Sequence, residues 1–193
     1  MGNSQAAKAR SHDRIVQVAA ARFRECGVDA IGVADLMKDA GLTHGAFYRH
    51  FASREELVAE AVERALQDGG RAMVAIANSK LDRQALLAAI VNGYLSEAHR
   101  DGLASSCAVA TLAGDVVHSN HRTRSAYTQQ VVTYLDLLTN LIASDKRKSR
   151  RVKAIAALST LVGAISMARA VNDDTLSAEI LRSAADELKT QLR

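Results

Sequence analysis

A chain of 193 residues with 48% hydrophobic residues can bury a real core, which excludes an intrinsically disordered protein. Lys and Arg number 25 against 21 Asp and Glu, and this mildly basic balance permits nucleic-acid binding without requiring it. The lack of proline and tryptophan, with frequent Ala, Leu, Arg and Glu, points to an all-α fold.

Residues 1–11 are polar, carry Lys8 and Arg10, and read as a mobile basic arm. They contain no apolar signal core, which argues against secretion. Gly2 stands where N-myristoylation would act, but Ala6 occupies the position at which that signal needs Ser or Thr. From about Asp13, Ile15, Val18, Ala19, Phe23 and Cys26 recur at three- and four-residue spacing. This predicts a first helix, started by Ser11 or Asp13 and stopped by Gly27.

Val33, Leu36, Met37 and Ala40 form the stripe of a short second helix, with Gly32 as its N-cap and Gly41 as its stop. A third is predicted over 44–51 behind the N-cap Thr43, with Ala46, Phe47 and Phe51 available to the core. Ser53-Arg54-Glu55-Glu56 reads as a capping box for a fourth helix containing Leu57, Val58, Ala61, Val62 and Ala65. That helix ends at Gly69-Gly70 or bends past them. Further helices are expected over 71–78, 82–101, 104–119, 123–144, 149–172 and 177–192. Residues 152–171 have the length of a membrane span, but Lys153 and Arg169 interrupt them and a helix packed between other helices is the expectation. Cys26 and Cys107 form no framework of spaced pairs, which fits a reduced, cytoplasmic setting.

The block 31–57 carries the function. Two short helices joined by a tight turn at Ala40-Gly41-Leu42-Thr43 are helix-turn-helix architecture. The third helix is too short and polar to stand alone, and its His44, Gly45, Tyr48, Arg49 and His50 offer donors and little bulk. Held by two companions, such a helix can enter a DNA major groove. Phe23-Arg24-Glu25-Cys26-Gly27, then Val33-Ala34, then Ala40-Gly41-Leu42-Thr43-His44-Gly45-Ala46-Phe47-Tyr48-Arg49-His50-Phe51-Ala52-Ser53-Arg54-Glu55-Glu56-Leu57 agree in order and spacing with one family pattern. In this the first third of the chain resembles the TetR family of bacterial transcriptional repressors. One departure is Gly32, where many members carry a capping Thr or Ser; a backbone N–H at that helix start can still meet a phosphate.

The resemblance implies a domain over 1–57 that binds DNA and a helical regulatory and dimerisation domain over 58–193. It implies palindromic double-stranded operator DNA, a homodimer and an unidentified small-molecule inducer as partners, and no enzyme activity, cofactor or membrane. Thr43, His44 and Gly45 should approach base edges or phosphates, and Tyr48, Arg49, His50 and Arg54 the backbone, with Gly32 and Val33 at the start of the second helix. The two C-terminal helices should pair with their copies in a four-helix bundle.

Tyr94, His99, Cys107, Tyr127 and Met167 sit in otherwise apolar helices and are the candidates to line a ligand pocket. Ser106-Cys107 through Leu112 and Asp115 resembles a segment of the family branch that responds to electrophiles and oxidants, with Ser106 in place of the usual glycine. Reactivity there would require a lowered thiol pKa. Two rivals stand beside this reading. His118-x-x-His121, with Asp115 three residues earlier, could set three ligands on one helix face for metal sensing, and a helical-bundle metal enzyme would use His99, His118 and His121 but lacks paired Glu-x-x-His motifs. A nonspecific DNA-packaging protein fits poorly with the long apolar C-terminal half.

Overall fold

In a computed structural model of the chain, residues 2–77, 79–143 and 146–192 are described, and among them every regular element is helical. Helix α1 spans Gly2–Cys26, so the expected arm is instead the first turns of a long helix. No glycine or proline interrupts residues 3–26, and Ala6, Ala7, Lys8, Ala9 and Arg10 favour helix, so nothing stops it short of Gly2. At its other end Gly27 turns left-handed (φ 85°) and its N–H donates to the Phe23 carbonyl at 2.9 Å.

Helix α2 (Val33–Asp39) ends in a Schellman arrangement. Gly41 takes φ 69°, its N–H donates to the Lys38 carbonyl and the Leu42 N–H to the Met37 carbonyl. A six-residue 3-10 helix, His44–Arg49, follows, and then α3 (Arg54–Ala77). The capping box forms in a shifted version: the Glu56 N–H donates to Ser53 Oγ at 3.3 Å, while the Glu56 carboxylate accepts from the N–H of Ala52, one residue before the cap. Helix α3 continues through Gly69-Gly70 because α8 lies against it there. A Cβ at Gly69 would come within 2.8 Å of the Tyr134 hydroxyl oxygen, and one at Gly70 within 3.1 Å of the Gln130 side chain.

The helix expected over 82–101 is two. Helix α4 (Arg83–Tyr94) starts on the Asp82 carboxylate, which accepts from the Ala85 N–H; α5 (Glu97–Asp101) restarts on the Ser96 hydroxyl, which accepts from the His99 N–H. The helix expected over 104–119 is three pieces: a 3-10 turn Leu103–Ser105, α6 (Ala108–Thr111) and α7 (Ala113–Val117). Helices α8 (His121–Leu141), α9 (Arg147–Ala170) and α10 (Asp174–Gln191) complete the chain. The expected helix ends at 78 and 144 lie outside the described residues.

The chain packs as two units: Met1–Asp68 with Leu103–Tyr127, and Gly69–Gly102 with Thr128–Arg193. The packing boundary thus lies elsewhere than the 57/58 division, because residues 103–127 are tied to the N-terminal helices by contacts distant in sequence. In the first unit Ile15, Ala19, Phe23, Leu36, Met37, Phe47, Phe51, Leu57 and Leu112 are buried. In the second, α9 packs along α10, and Ile90, Leu161, Ile165 and Leu188 are almost fully buried. Val152, Ile155 and Met167 on α9 stay exposed at 61, 47 and 55%, so this helix has one buried and one open apolar face rather than burial all round.

Candidate nucleic-acid interface

The interface is built on rings that point inward. Phe47 stacks on Phe51 at 5.5 Å between centroids, and Phe51 stacks on His12 of α1 at 4.5 Å. His12 Nε2 in turn meets the Glu60 carboxylate of α3 at 2.7 Å. The buried Phe47 and Phe51, backed by the half-buried His12, fix the 3-10 helix, which has too few internal hydrogen bonds to hold itself.

What they leave outside is the face picked out from the sequence. Thr43, His44, Gly45, Tyr48 and Arg49 are exposed, Tyr48 by 72%. Thr43 occupies the N-cap, yet its hydroxyl makes no capping hydrogen bond and stays available. A Cβ built on Gly45 meets nothing within 4 Å. The Tyr48 ring packs edge-on against Phe47 at 5.2 Å, which orients it without burying it. Gly32 is the extended N-cap of α2 with no side-chain cap, and Val33 is half-buried beside it.

Two expected contacts differ in character. His50 is half-buried beside His12 and Phe51, and its Nδ1 is buried with no hydrogen-bond partner among the described residues. Burial first, then the charges of His12, Lys8 and Arg49, hold its imidazole below the ordinary histidine range. A nearby phosphate would act in the opposite direction. Arg54 donates to the Val28 carbonyl and reaches Asp29 at 3.5 Å, so its first task is to fix the loop after α1.

The sequence reading missed the groups that join residues 103–127 to this headpiece. Arg24, only 7% exposed, donates from Nε to the Ala104 carbonyl at 2.7 Å and from Nη1 to the Ala65 carbonyl at 3.3 Å, with Asp68 at 3.8 Å. The Asp115 carboxylate accepts from the Val28 N–H at 2.9 Å. Arg122 makes a two-pronged pair with Glu63 at 2.7 and 2.8 Å. A signal for Arg24 existed: it sits four residues after Ala20, on the stripe of Val16, Ala20 and Phe23, where a charge needs buried partners.

The five candidate pocket residues do not form one group. In the second unit the Tyr94 and His99 rings meet edge-on at 4.6 Å, and His99 Nδ1 lies 2.6 Å from the Tyr94 carbonyl, so that nitrogen carries the proton. Arg169 donates to the His99 and Arg100 carbonyls beside them. Met167 stands exposed on α9 rather than lining an enclosed space. Cys107 and Tyr127 belong to the first unit. Cys107 is the buried N-cap of α6, and the Tyr127 hydroxyl donates to the Val109 carbonyl at 2.8 Å; burial, then Cys107, push that phenol up. An open cleft of about 380 Å³ in this unit is lined by Val28, Asp29, Arg54, Asp115 and His118 among others, and by none of the five.

His99 is half-buried, and desolvation first, then Arg169, hold its pKa below the ordinary value against the opposing hydrogen bond that its Nδ1–H donates to the Tyr94 carbonyl. The unfolded chain therefore takes up that proton more readily, and stability falls as pH drops through about 6.5. Urea midpoints between pH 7.5 and 5 are expected to decline more steeply for the wild type than for His99→Gln; equal slopes would refute the assignment.

The three-ligand helix face imagined for Asp115, His118 and His121 does not form. Helix α7 ends before His118, and α8 starts anew on Asn120, whose side-chain carbonyl accepts from the Thr123 N–H at 3.0 Å. Among the described residues, no three His, Cys, Asp or Glu side chains gather as metal ligands.

Comparison with known proteins bears on the same segment. A model of the bacterial regulatory proteins of the tetR family matches residues 15–61. The HTH-type transcriptional repressor KstR2 of Rhodococcus jostii is 31% identical over 126 residues, 65% of this chain and 60% of the relative. KstR2 of Mycobacterium tuberculosis is 46% identical over 46 residues, 24% of this chain and 23% of the relative. The chain thus matches at most 60% of the length of these curated relatives. Over nearly its whole length it shares the fold of two solved structures. One is reduced NemR of E. coli (18% identity, TM-score 0.79, covering 94% of this chain and 96% of that one). The other is a TetR transcriptional regulator of Chloroflexus aurantiacus (22% identity, TM-score 0.80, covering 95% and 94%).

Proposed function

We propose that this chain is a ligand-responsive transcriptional repressor of the TetR family, a reading supported by the family match over residues 15–61 and the likeness to KstR2. In this reading it acts in the cytoplasm by binding rather than by catalysis, holds palindromic operator DNA as a homodimer, and lets go when a small molecule binds. The observation that carries the reading is the exposed face of the 3-10 helix. Tyr48, Thr43 and open space over Gly45 stand on a fully buried Phe47–Phe51 base. Among the described residues none hydrogen-bonds to the Thr43, His44 or Tyr48 side chains, and donors on a short exposed helix suit a major groove.

Thr43, His44 and Gly45 supply base or phosphate contacts, Tyr48, Arg49 and His50 hold the backbone, and the N-terminus of α2 at Gly32 and Val33 adds N–H donors. Arg54 supports the headpiece from behind. The open apolar face of α9, with Val152, Ile155 and Met167, supports a two-fold pairing of copies. Release would be a two-state process in which the inducer prefers a form whose recognition helices are misplaced for successive turns of DNA.

Selection of bound duplexes from a random library tests this. A two-fold consensus with half-sites about 34 Å apart is expected, bound by dimers in sedimentation. Ile155→Asp is expected to give monomers and at least about tenfold weaker binding to that consensus. A selection that returns no consensus, from a chain that sediments as a monomer, overturns the reading.

A further inference from the structure

The net positive charge does not lie where DNA recognition is read. Residues 1–68 hold nine Lys and Arg against ten Asp and Glu. Six cations instead crowd into residues 146–153: Lys146, Arg147, Lys148, Arg150, Arg151 and Lys153. Without them, nineteen Lys and Arg face 21 Asp and Glu, and the formal charge is negative.

These six occupy the N-cap and first two turns of α9, which have no acidic residue in the first turn and no side-chain cap. That placement works against the fold. Cations at a helix N-terminus oppose the helix dipole, and Arg147 repels Arg150 and Arg151 three and four residues on. Partners offset part of it: Arg151 pairs with Asp136 at 2.7 Å, Lys153 reaches the Gln191 carbonyl at 3.4 Å, and Lys146 is also engaged. Arg147 and Lys148 are exposed, and the buried Nε of Arg150 has no hydrogen-bond partner among the described residues.

We propose that the basic start of α9 is a second DNA-contacting surface, which grips the phosphate backbone of a duplex without reading its bases. Charge complementarity selects a polyanion, since a cluster that repels itself gains most from dense negative charge. The choice of duplex over membrane rests on the operator-binding reading and on the absence of Trp, Tyr and Phe from residues 142–156, so no aromatic anchor flanks the cluster for a lipid interface. An electrostatic grip of this kind raises the time spent on nonspecific DNA and so assists the search for a specific site.

The test uses the full-length protein and a 25-base-pair duplex of random sequence, with anisotropy followed across a salt series. The triple variant Arg147→Gln, Lys148→Gln, Arg150→Gln is expected to lose about tenfold or more in affinity at low salt. Its salt slope should fall by about 2.7, roughly 0.9 for each contact removed. Arg147→Lys with Arg150→Lys should retain the slope, which guards against a trivial folding defect. Tyr48→Ala, which removes an uncharged backbone contact, should weaken selected and random duplexes alike and leave the salt slope unchanged, so the two surfaces fail separately. A triple variant with unchanged affinity and slope overturns the proposal. So does one that keeps duplex binding but no longer binds vesicles of phosphatidylglycerol, because the surface then serves a membrane.

Discussion

Gly45→Leu is expected to leave the protein folded and to weaken binding to its selected duplex by at least about 100-fold, or roughly 2.7 kcal/mol. The argument is one of empty space. In the free protein a Cβ at this position touches nothing within 4 Å, and the backbone needs no left-handed angle, so leucine projects into water without strain. On DNA the same volume is where base edges and backbone must come. Tyr48→Phe makes a gentler companion. It removes one hydroxyl from a ring that Phe47 keeps oriented, and one lost phosphate hydrogen bond should cost about 1–2 kcal/mol, or five- to thirtyfold. Thermal melting and fluorescence anisotropy on both variants check the pair. A Gly45→Leu protein that binds as tightly as wild type would place the DNA elsewhere.

Arg24→Met should lower the free energy of unfolding by about 3 kcal/mol in urea titration. Methionine keeps much of the stem's apolar contact, so the loss reports the guanidinium itself. Removing it leaves the half-buried Ala104 carbonyl and the buried Ala65 carbonyl without that donor and takes a cation from Asp68. Burial disfavours the charge, as the lowered Arg24 pKa reflects, and these acceptors compensate for it. Arg24→Lys should recover little, because one ammonium cannot reach acceptors on α3 and on the 103–105 turn at once. The same variant should uncouple residues 103–105 from α1, read as faster amide exchange there than in the α9–α10 pair. A variant within 0.5 kcal/mol of wild type, a size usual for surface changes, would show that the hydrogen bonds are incidental.

Much of this was legible in the residues. The helix stops at Gly27 and Gly41, the capping box at Ser53 and Glu56, and the inward Phe47 and Phe51 are local chemistry, and local chemistry reads well from one sequence. The resemblance over residues 23–57 points to the face proposed for recognition, and the exposures of Tyr48, Thr43 and Gly45 suit that role. The polar N-terminal residues continue as helix rather than as a mobile arm, because Ala and Lys favour helix as strongly as any residues do. The break at residues 95–96 has no strong local signal, since a Ser cap competes closely with helix continuation, whereas the break at Asn120 falls in the gap expected between 119 and 123.

Contacts distant in sequence left no local trace. Asp115 meets Val28 and Arg24 meets Ala104, and these pairs draw the unit boundary where no composition shift marks it. The ligand pocket was least legible. Aromatic and sulfur-bearing residues in apolar helices are equally good core residues, and the structure divides the five candidates between two units.

Everything turns on whether the His44–Arg49 helix meets base edges. In a Cys26→Ser background, His44→Cys offers an exposed thiol at the start of that helix, while Cys107 stays buried. Mixed with the selected duplex carrying a disulfide-tethered base in each half-site, it should form a covalent bond to both half-sites. Tight binding without any bond from position 44, at every tethered base tried, would contradict the account.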